Sequence, residues 1–282
     1  MPQNVIANFT NHIKNVGYSK SSQYQIPHCV AEFVQQCKTE ITQIEQQHIL
    51  IFYDYLQTRK LKKRNGVLSE TMISHYIFAL KLFFNWLEQT EQIDENPMSN
   101  LVFKTPTKNQ RQPLTQDQVQ QLFTAANTNK ETAILHLFYS CGLRRTEAEN
   151  LKISDINFAK NLLYVRAGKG AKRRAIPMSE KVKTALENYC KTKRPKINEP
   201  AFMLNTNNKK MSGQSYNNAL KTILHKTEIS ENISLHHLRH SIATHLLENG
   251  LSIENVRDFL GHSQLETTQI YVQVTQNQIK DL

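Results

Sequence analysis

The 282-residue chain is long enough for two domains of ordinary size, and 39% hydrophobic residues are enough to give each a core. No run approaches the roughly 18 uninterrupted apolar residues of a membrane span. The opening MPQNVIANFTNHIK lacks the charged-then-apolar layout of a secretory leader, and Cys29, Cys37, Cys141 and Cys190 form no CxxC pair, so a reduced, cytoplasmic setting is expected. The formal charge of +11 is uneven: residues 1–104 carry 10 Lys and Arg against 9 Asp and Glu, and residues 105–282 carry 25 against 15. The second part therefore suits a polyanionic partner, or presents a basic surface that is merely solvated.

In chain order, helical stretches are expected around 3–15 and 20–37, and over QHILIFYDYLQTRK. SETMISHYIFALKLFFNWLEQ places Met72, Ile73, Tyr76, Ala79, Leu80, Phe83, Phe84 and Leu87 on one helical stripe, with Ser69 as N-cap. Together these make a bundle of about four helices. The basic stretch Arg59 to Gly66 joins two of them, either as a solvated turn or as a phosphate contact. Pro106 and Pro113 interrupt the periodicity and mark a linker near 105–112.

Thr115 and Gln118 form a capping box that opens a new helix. ETAILHLFYSCGL reads as an apolar helix ended by Gly142. KNLLYVRAGKGAKRRAIPM alternates, turns over Gly168 to Gly170 and alternates again, as a hairpin with a basic tip does. Four helices follow. The first starts at the N-cap Ser179, and the second spans SGQSYNNALKTILHK. The third runs from Ser234 to the stop at Gly250, and the fourth is a short helix ended by Gly261. Ser263 and Glu266 cap a last helix that carries Tyr271 about two turns in.

His236 and Arg239 lie three residues apart and share a helix face, so an imidazole and a guanidinium fork stand side by side. His236 and His240 have a metal-binding spacing, but no HExxH or third ligand accompanies them and Arg239 would repel a cation, so no metal is expected. Histidines hydrogen-bonded inside a helical core are the plainer alternative for this stretch taken alone. Arg144 and Arg145 stand just past a helix-ending glycine with Glu147 behind, where backbone donors and arginines favour an anion. The hairpin tip sets Lys169 between two glycines, without a GxxxxGK[ST] phosphate loop. His262 ends LGH, nine residues before Tyr271.

The ordered series Gly-Leu-Arg-x-x-Glu, hairpin lysine, His-x-x-Arg-His, Leu-Gly-His and tyrosine resembles the tyrosine recombinase (phage integrase/Xer) family across essentially the whole chain. The resemblance implies a mainly α fold with a small β-hairpin or sheet. Residues 1–105 would be a helical core-binding DNA clamp, 106–112 a linker, and 113–282 an α+β catalytic domain. It implies that Tyr271 attacks a DNA phosphate to give a 3′-phosphotyrosine, with Arg144 and Arg239 on the non-bridging oxygens. Lys169 would protonate the leaving 5′-oxygen, with Lys172 as the alternative acid. His236 would serve as general acid/base and His262 as a supporting donor, while Glu147 orients the arginine region. Lys172, Arg173 and Arg174 would touch the DNA backbone, and Arg145 would contact DNA or structure. No cofactor or metal is implied. The partner would be double-stranded DNA with inverted half-sites, held by a homo-tetramer that exchanges strands through a Holliday junction, with or without a second recombinase or accessory protein.

Thr146 stands where the family more often has Ser, and Leu235 where Pro often precedes the histidine. Only residues 272–282 follow Tyr271, which puts in doubt a tail docked on a neighbouring protomer. Three other readings differ in kind. A type IB topoisomerase would relax DNA without a specific site, a non-catalytic regulator would have lost a site residue, and a metal-dependent nuclease would show acidic clusters.

Overall fold

The computed structural model describes residues 2–61, 65–106, 112–166, 174–194, 198–230 and 232–261. By its contacts the chain divides into two units, Met1–Asn109 and Gln110–Leu282. Among the described residues no helix is long and apolar enough to cross a membrane.

Among its described residues the first unit is built from four α-helices: α1 (Pro2–Asn15), α2 (Lys20–Cys37), α3 (Gln46–Thr58) and α4 (Glu70–Gln89). Ser69 caps α4 by accepting from the Met72 amide at 3.3 Å, which satisfies one of the donors a helix start leaves orphaned. Ile73, Tyr76, Leu80, Phe83, Phe84 and Leu87 then bury the expected stripe. Met72 departs from it and is 41% exposed, in the first turn beside the surface pair Glu70–Lys104. Aromatic rings fill the core edge to face, Phe9 on Phe83 and Phe33 on Phe52, both at 5.1 Å between centroids.

One polar network crosses this core. Glu32 accepts from Arg59 Nε at 2.7 Å and from the Tyr76 hydroxyl at 2.7 Å. Arg59, the first residue of the basic stretch, is thus engaged in a structural ion pair. Lys62, Lys63 and Arg64 lie outside the described residues.

The second unit wraps seven helices and a three-stranded antiparallel sheet around its own core, counting described residues only. They are α5 (Gln116–Ala125), α6 (Asn129–Leu135), α7 (Arg145–Asn150), β1 (Ile156–Asn157), β2 (Leu162–Val165), β3 (Arg174–Pro177), α8 (Glu180–Lys193), α9 (Gly213–Leu224), α10 (Leu235–Glu248) and α11 (Ile253–Leu260). Sheet order is β1-β2-β3, with Leu163 opposite Ile176 and Val165 opposite Arg174. The register sends Leu163 and Ile176 inward, where both are fully buried. The two long strands are those of the expected hairpin; its tip lies outside the described residues, and β1 is an addition to it.

The helix expected up to Gly142 is not uniform. After Leu135 it widens into a π turn, His136–Ser140, with the Cys141 amide donating to the His136 carbonyl at 2.8 Å. All five residues of the turn are buried, and His136 Nδ1 meets Ser140 Oγ at 2.9 Å. Gly142 then takes φ +56, and a Cβ there would sit 2.8 Å from Leu260 Cδ2. Glycine is needed at this corner both for its backbone conformation and for the approach of α11.

Between α8 and α9 the chain has no periodicity, yet it is pinned. Buried Arg194 donates to the carbonyls of Glu199, Ala201 and Phe202, and the Phe202 amide bonds the Leu151 carbonyl at 2.7 Å. The chain entering this unit is also held: the Leu114 amide donates to Ser241 Oγ at 2.8 Å, and its carbonyl meets His245 Nε2 at 2.9 Å. Tyr139 completes that network through His245 Nδ1 at 2.8 Å.

Candidate active site

Glu147, in the short helix α7, organises the site. It is 4% exposed, and its carboxylate is surrounded by arginines from three separate parts of the chain. Arg144, the residue that opens α7, gives its own amide to Oε2 and its Nη1 to Oε1, both at 2.8 Å. This is a capping box with the acid in its usual place three residues into the helix. Arg174, at the start of β3, gives Nη1 to Oε1 at 2.9 Å and Nη2 to Oε2 at 2.8 Å, a two-pronged pair. Arg239, in the first half of α10, brings Nη1 within 3.8 Å of Oε2.

A second set of acceptors comes from backbone. Arg239 donates from Nη1 to the Gly142 carbonyl and from Nη2 to the Leu260 carbonyl at 2.5 Å. Arg144 Nη2 reaches the Gly261 carbonyl at 3.2 Å. Leu260 and Gly261 form the C-terminal end of α11, where helix carbonyls lack partners and the dipole is negative. Gly261 has φ +72, and a Cβ there would lie 2.9 Å from Arg174 Nη1, so the third guanidinium packs against the same corner.

Electrostatics follow from this crowding. Burial would raise the Glu147 pKa, but the hydrogen bonds and charge of Arg174, joined by those of Arg144, overcome it and hold the carboxyl at about 2. Burial, then repulsion from Arg144 and Arg174, pushes the Arg239 guanidinium down to about 9 against the pull of Glu147. One carboxylate thus faces three cations, a local excess of positive charge suited to an anion.

The structure places Arg144 and Arg239 beside the same Glu147 carboxylate. His236 is exposed, three residues before Arg239 on α10, and the neighbouring His237 caps the helix through Ser234. Lys169, Lys172, Arg173, His262 and Tyr271 lie outside the described residues. Arg174 is a correction. Read as a DNA-backbone contact, it is 9% exposed and turned inward onto Glu147, because its place opposite Val165 in the sheet faces the core. Its Nε is buried with no partner among the described residues. Arg145 is exposed, with Nε 3.8 Å from Glu149 Oε1. Among the described residues no group of three or more His, Cys, Asp or Glu is placed to hold a metal ion.

A helical bundle, followed by a helical unit with a small sheet that gathers arginines around one buried acid, suits an enzyme that handles an anionic group such as a phosphate. Comparison with known proteins makes it specific. The phage integrase family profile matches residues 112–278, and the profile of the phage integrase N-terminal SAM-like domain matches residues 5–94. A tyrosine recombinase of Thermosipho africanus is 34% identical over 277 residues, 96% of this chain and 95% of the relative. Tyrosine recombinase XerD of Listeria innocua is 34% identical over 226 residues, 76% of this chain and 75% of the relative.

Among solved structures, XerA recombinase is similar at 25% identity and a TM-score of 0.52, over 100% of this chain and 97% of that one. A lambda integrase dimer bound to a COC′ core site shares the fold at 16% identity and a TM-score of 0.73, over 95% and 98%. The chain belongs to the phage integrase family of tyrosine recombinases and is a site-specific tyrosine recombinase, an enzyme of DNA recombination.

Proposed function

We propose that this recombinase cuts and rejoins duplex DNA through Tyr271. The tyrosine oxygen attacks the scissile phosphorus, a bond from phosphorus to the tyrosine oxygen forms, and the bond to the 5′-oxygen breaks. The products are a 3′-phosphotyrosine and a free 5′-hydroxyl. The ester's free energy is kept in the new linkage, so the reverse attack rejoins strands without a nucleotide cofactor. Arg144 and Arg239 neutralise the non-bridging oxygens as negative charge builds at phosphorus. His236 moves the tyrosine proton, Lys169 delivers a proton to the departing 5′-oxygen, and His262 donates to the phosphate. The roles of Lys169, His262 and Tyr271 rest on the sequence pattern.

One observation carries this reading: two arginines distant in sequence, Arg144 and Arg239, converge on one buried carboxylate, that of Glu147. Residues 1–105 act as a DNA clamp, 106–112 as a linker and 113–282 as the catalytic domain, in the cytoplasm. Two protomers occupy inverted half-sites, and two such sites join as a tetramer that exchanges strands through a Holliday junction. The lambda integrase tetramer bound to a Holliday junction supports the plausibility of that assembly at the level of fold.

The test begins by sequencing DNA trapped covalently on the wild-type protein. A synthetic nicked duplex of the trapped sequence is then offered to wild type and to Tyr271→Phe. Wild type accumulates a covalent adduct, whereas Tyr271→Phe shifts the duplex in a gel and accumulates none. A normal adduct yield from Tyr271→Phe sinks the assignment.

A further inference from the structure

We propose that Arg174 is a positioning residue of the reaction, which holds Glu147 so that Arg144 and Arg239 stand in register for one phosphate. The inference rests on the functional reading above and extends it to a residue outside the catalytic six.

Three observations carry it. First, the two terminal nitrogens of Arg174 occupy both oxygens of Glu147, at 2.9 and 2.8 Å. A single hydrogen bond leaves a carboxylate free to turn about its last torsion, whereas a fork on both oxygens fixes its plane. Second, the same two oxygens receive the amide and Nη1 of Arg144 and lie 3.8 Å from Arg239 Nη1. The direction in which the carboxylate presents its lone pairs therefore sets where Arg144 sits and biases Arg239. Third, Arg174 packs against Gly261, where a Cβ would come within 2.9 Å of its Nη1. The Leu260 and Gly261 carbonyls at that corner receive Arg239 and Arg144. Arg174 thus touches both supports, carboxylate and corner, of both arginines.

Its own side chain is 5% exposed with both terminal nitrogens turned onto Glu147. The alternative is an ordinary core ion pair that keeps the sheet attached to α7. A neutral substrate separates the two. A methylphosphonate at the scissile position replaces one charged non-bridging oxygen with a methyl group, so attack on it depends much less on arginine placement.

The experiment uses the full chain as wild type, Arg174→Gln and Arg174→Lys. The substrates are nicked duplexes of the trapped sequence, identical except for phosphate or methylphosphonate at the scissile position. Adduct formation is followed in single turnover, with a gel shift to check that binding is retained. With Arg174→Gln, adduct formation on phosphate falls about 100-fold, the cost of a displacement on the order of an ångström at the reacting centre. On methylphosphonate the loss stays within about tenfold, because the missing interaction is one made chiefly to developing charge.

Arg174→Lys keeps the cation and loses the fork, and it shows the same selective loss. Should Arg174→Gln fail to fold, Arg174→Lys decides alone. Equal losses on both substrates, or full activity of Arg174→Lys on phosphate, overturn the proposal and leave an ordinary ion pair. A wild-type protein that traps no DNA overturns the functional reading itself, and this inference with it.

Discussion

Glu147→Gln removes one negative charge from among three guanidinia while keeping size and hydrogen-bonding oxygen. The carboxyl sits at about 2 in the folded protein against an ordinary 4.5. At 1.36 kcal/mol per pKa unit, that difference is about 3 kcal/mol of folding stability at neutral pH. The group is only 4% exposed, so solvent screening removes little of this. The figure also falls at the lower end of the roughly 3–5 kcal/mol lost when one partner of a buried pair is removed. Repulsion worsens the outcome, since Arg239 is already pushed down to about 9 with Glu147 as the opposing influence.

A carboxyl whose folded pKa lies below its unfolded value binds fewer protons when folded. Its stabilisation is complete above the unfolded value near 4.5 and drains away as the pH falls toward the folded value of about 2. Urea unfolding followed by far-UV circular dichroism at pH 7, 5 and 3 measures the gap between wild type and variant. The expected midpoint shift at pH 7 is about 1.5 M urea, and it narrows at pH 3. Trp86, the single tryptophan, lies in the N-terminal unit, so its fluorescence transition reports that unit and should move little. An unshifted dichroism midpoint at pH 7, or a gap that stays constant down to pH 3, refutes the reasoning.

Gly261→Ala forces a Cβ into φ +72 and to within 2.9 Å of Arg174 Nη1, and should cost about 2–3 kcal/mol and slow adduct formation. Gly250→Ala, at φ +86 with nothing within 4 Å, should cost only about 1 kcal/mol and spare activity, and thermal melts of the two variants make the comparison. Tyr139→Phe deletes the hydroxyl that meets His245 Nδ1 at 2.8 Å in the core, and should lower stability by about 1–2 kcal/mol in urea titrations.

Legibility differed residue by residue, for physical reasons. Helix starts were readable because capping is local: Ser69, Thr115 with Gln118, and Ser179 each accept or exchange bonds within three residues. The Arg144–Glu147 pair is local in the same sense, and Arg239 was found through its spacing from His236. Arg174 reads from sequence as a DNA-backbone contact because it belongs to a Lys-Arg-Arg run beside the turn of a basic hairpin. Only the strand register and an acid distant in sequence turn it inward. The segment after α8 carries no periodicity to read, since its order comes from Arg194 gripping three carbonyls. The π turn leaves no mark in sequence either: all five of its residues are buried, so a continuous helix and a widened one predict the same apolar run.

The site also shows how a protein gathers cations before an anion arrives. Three guanidinia held close together repel one another, and burial raises the cost further. A second carboxylate would neutralise the positive excess. Among the described residues one acid, Glu147, sets the geometry, and further donors of Arg144 and Arg239 are taken by neutral carbonyls, Gly142 at a glycine corner and Leu260 and Gly261 at the end of α11. Carbonyl dipoles satisfy hydrogen bonds without cancelling net charge, so orientation and positive potential are supplied by different groups. Both corners are glycine because Gly142 and Gly261 each hold a positive φ with no room for a Cβ.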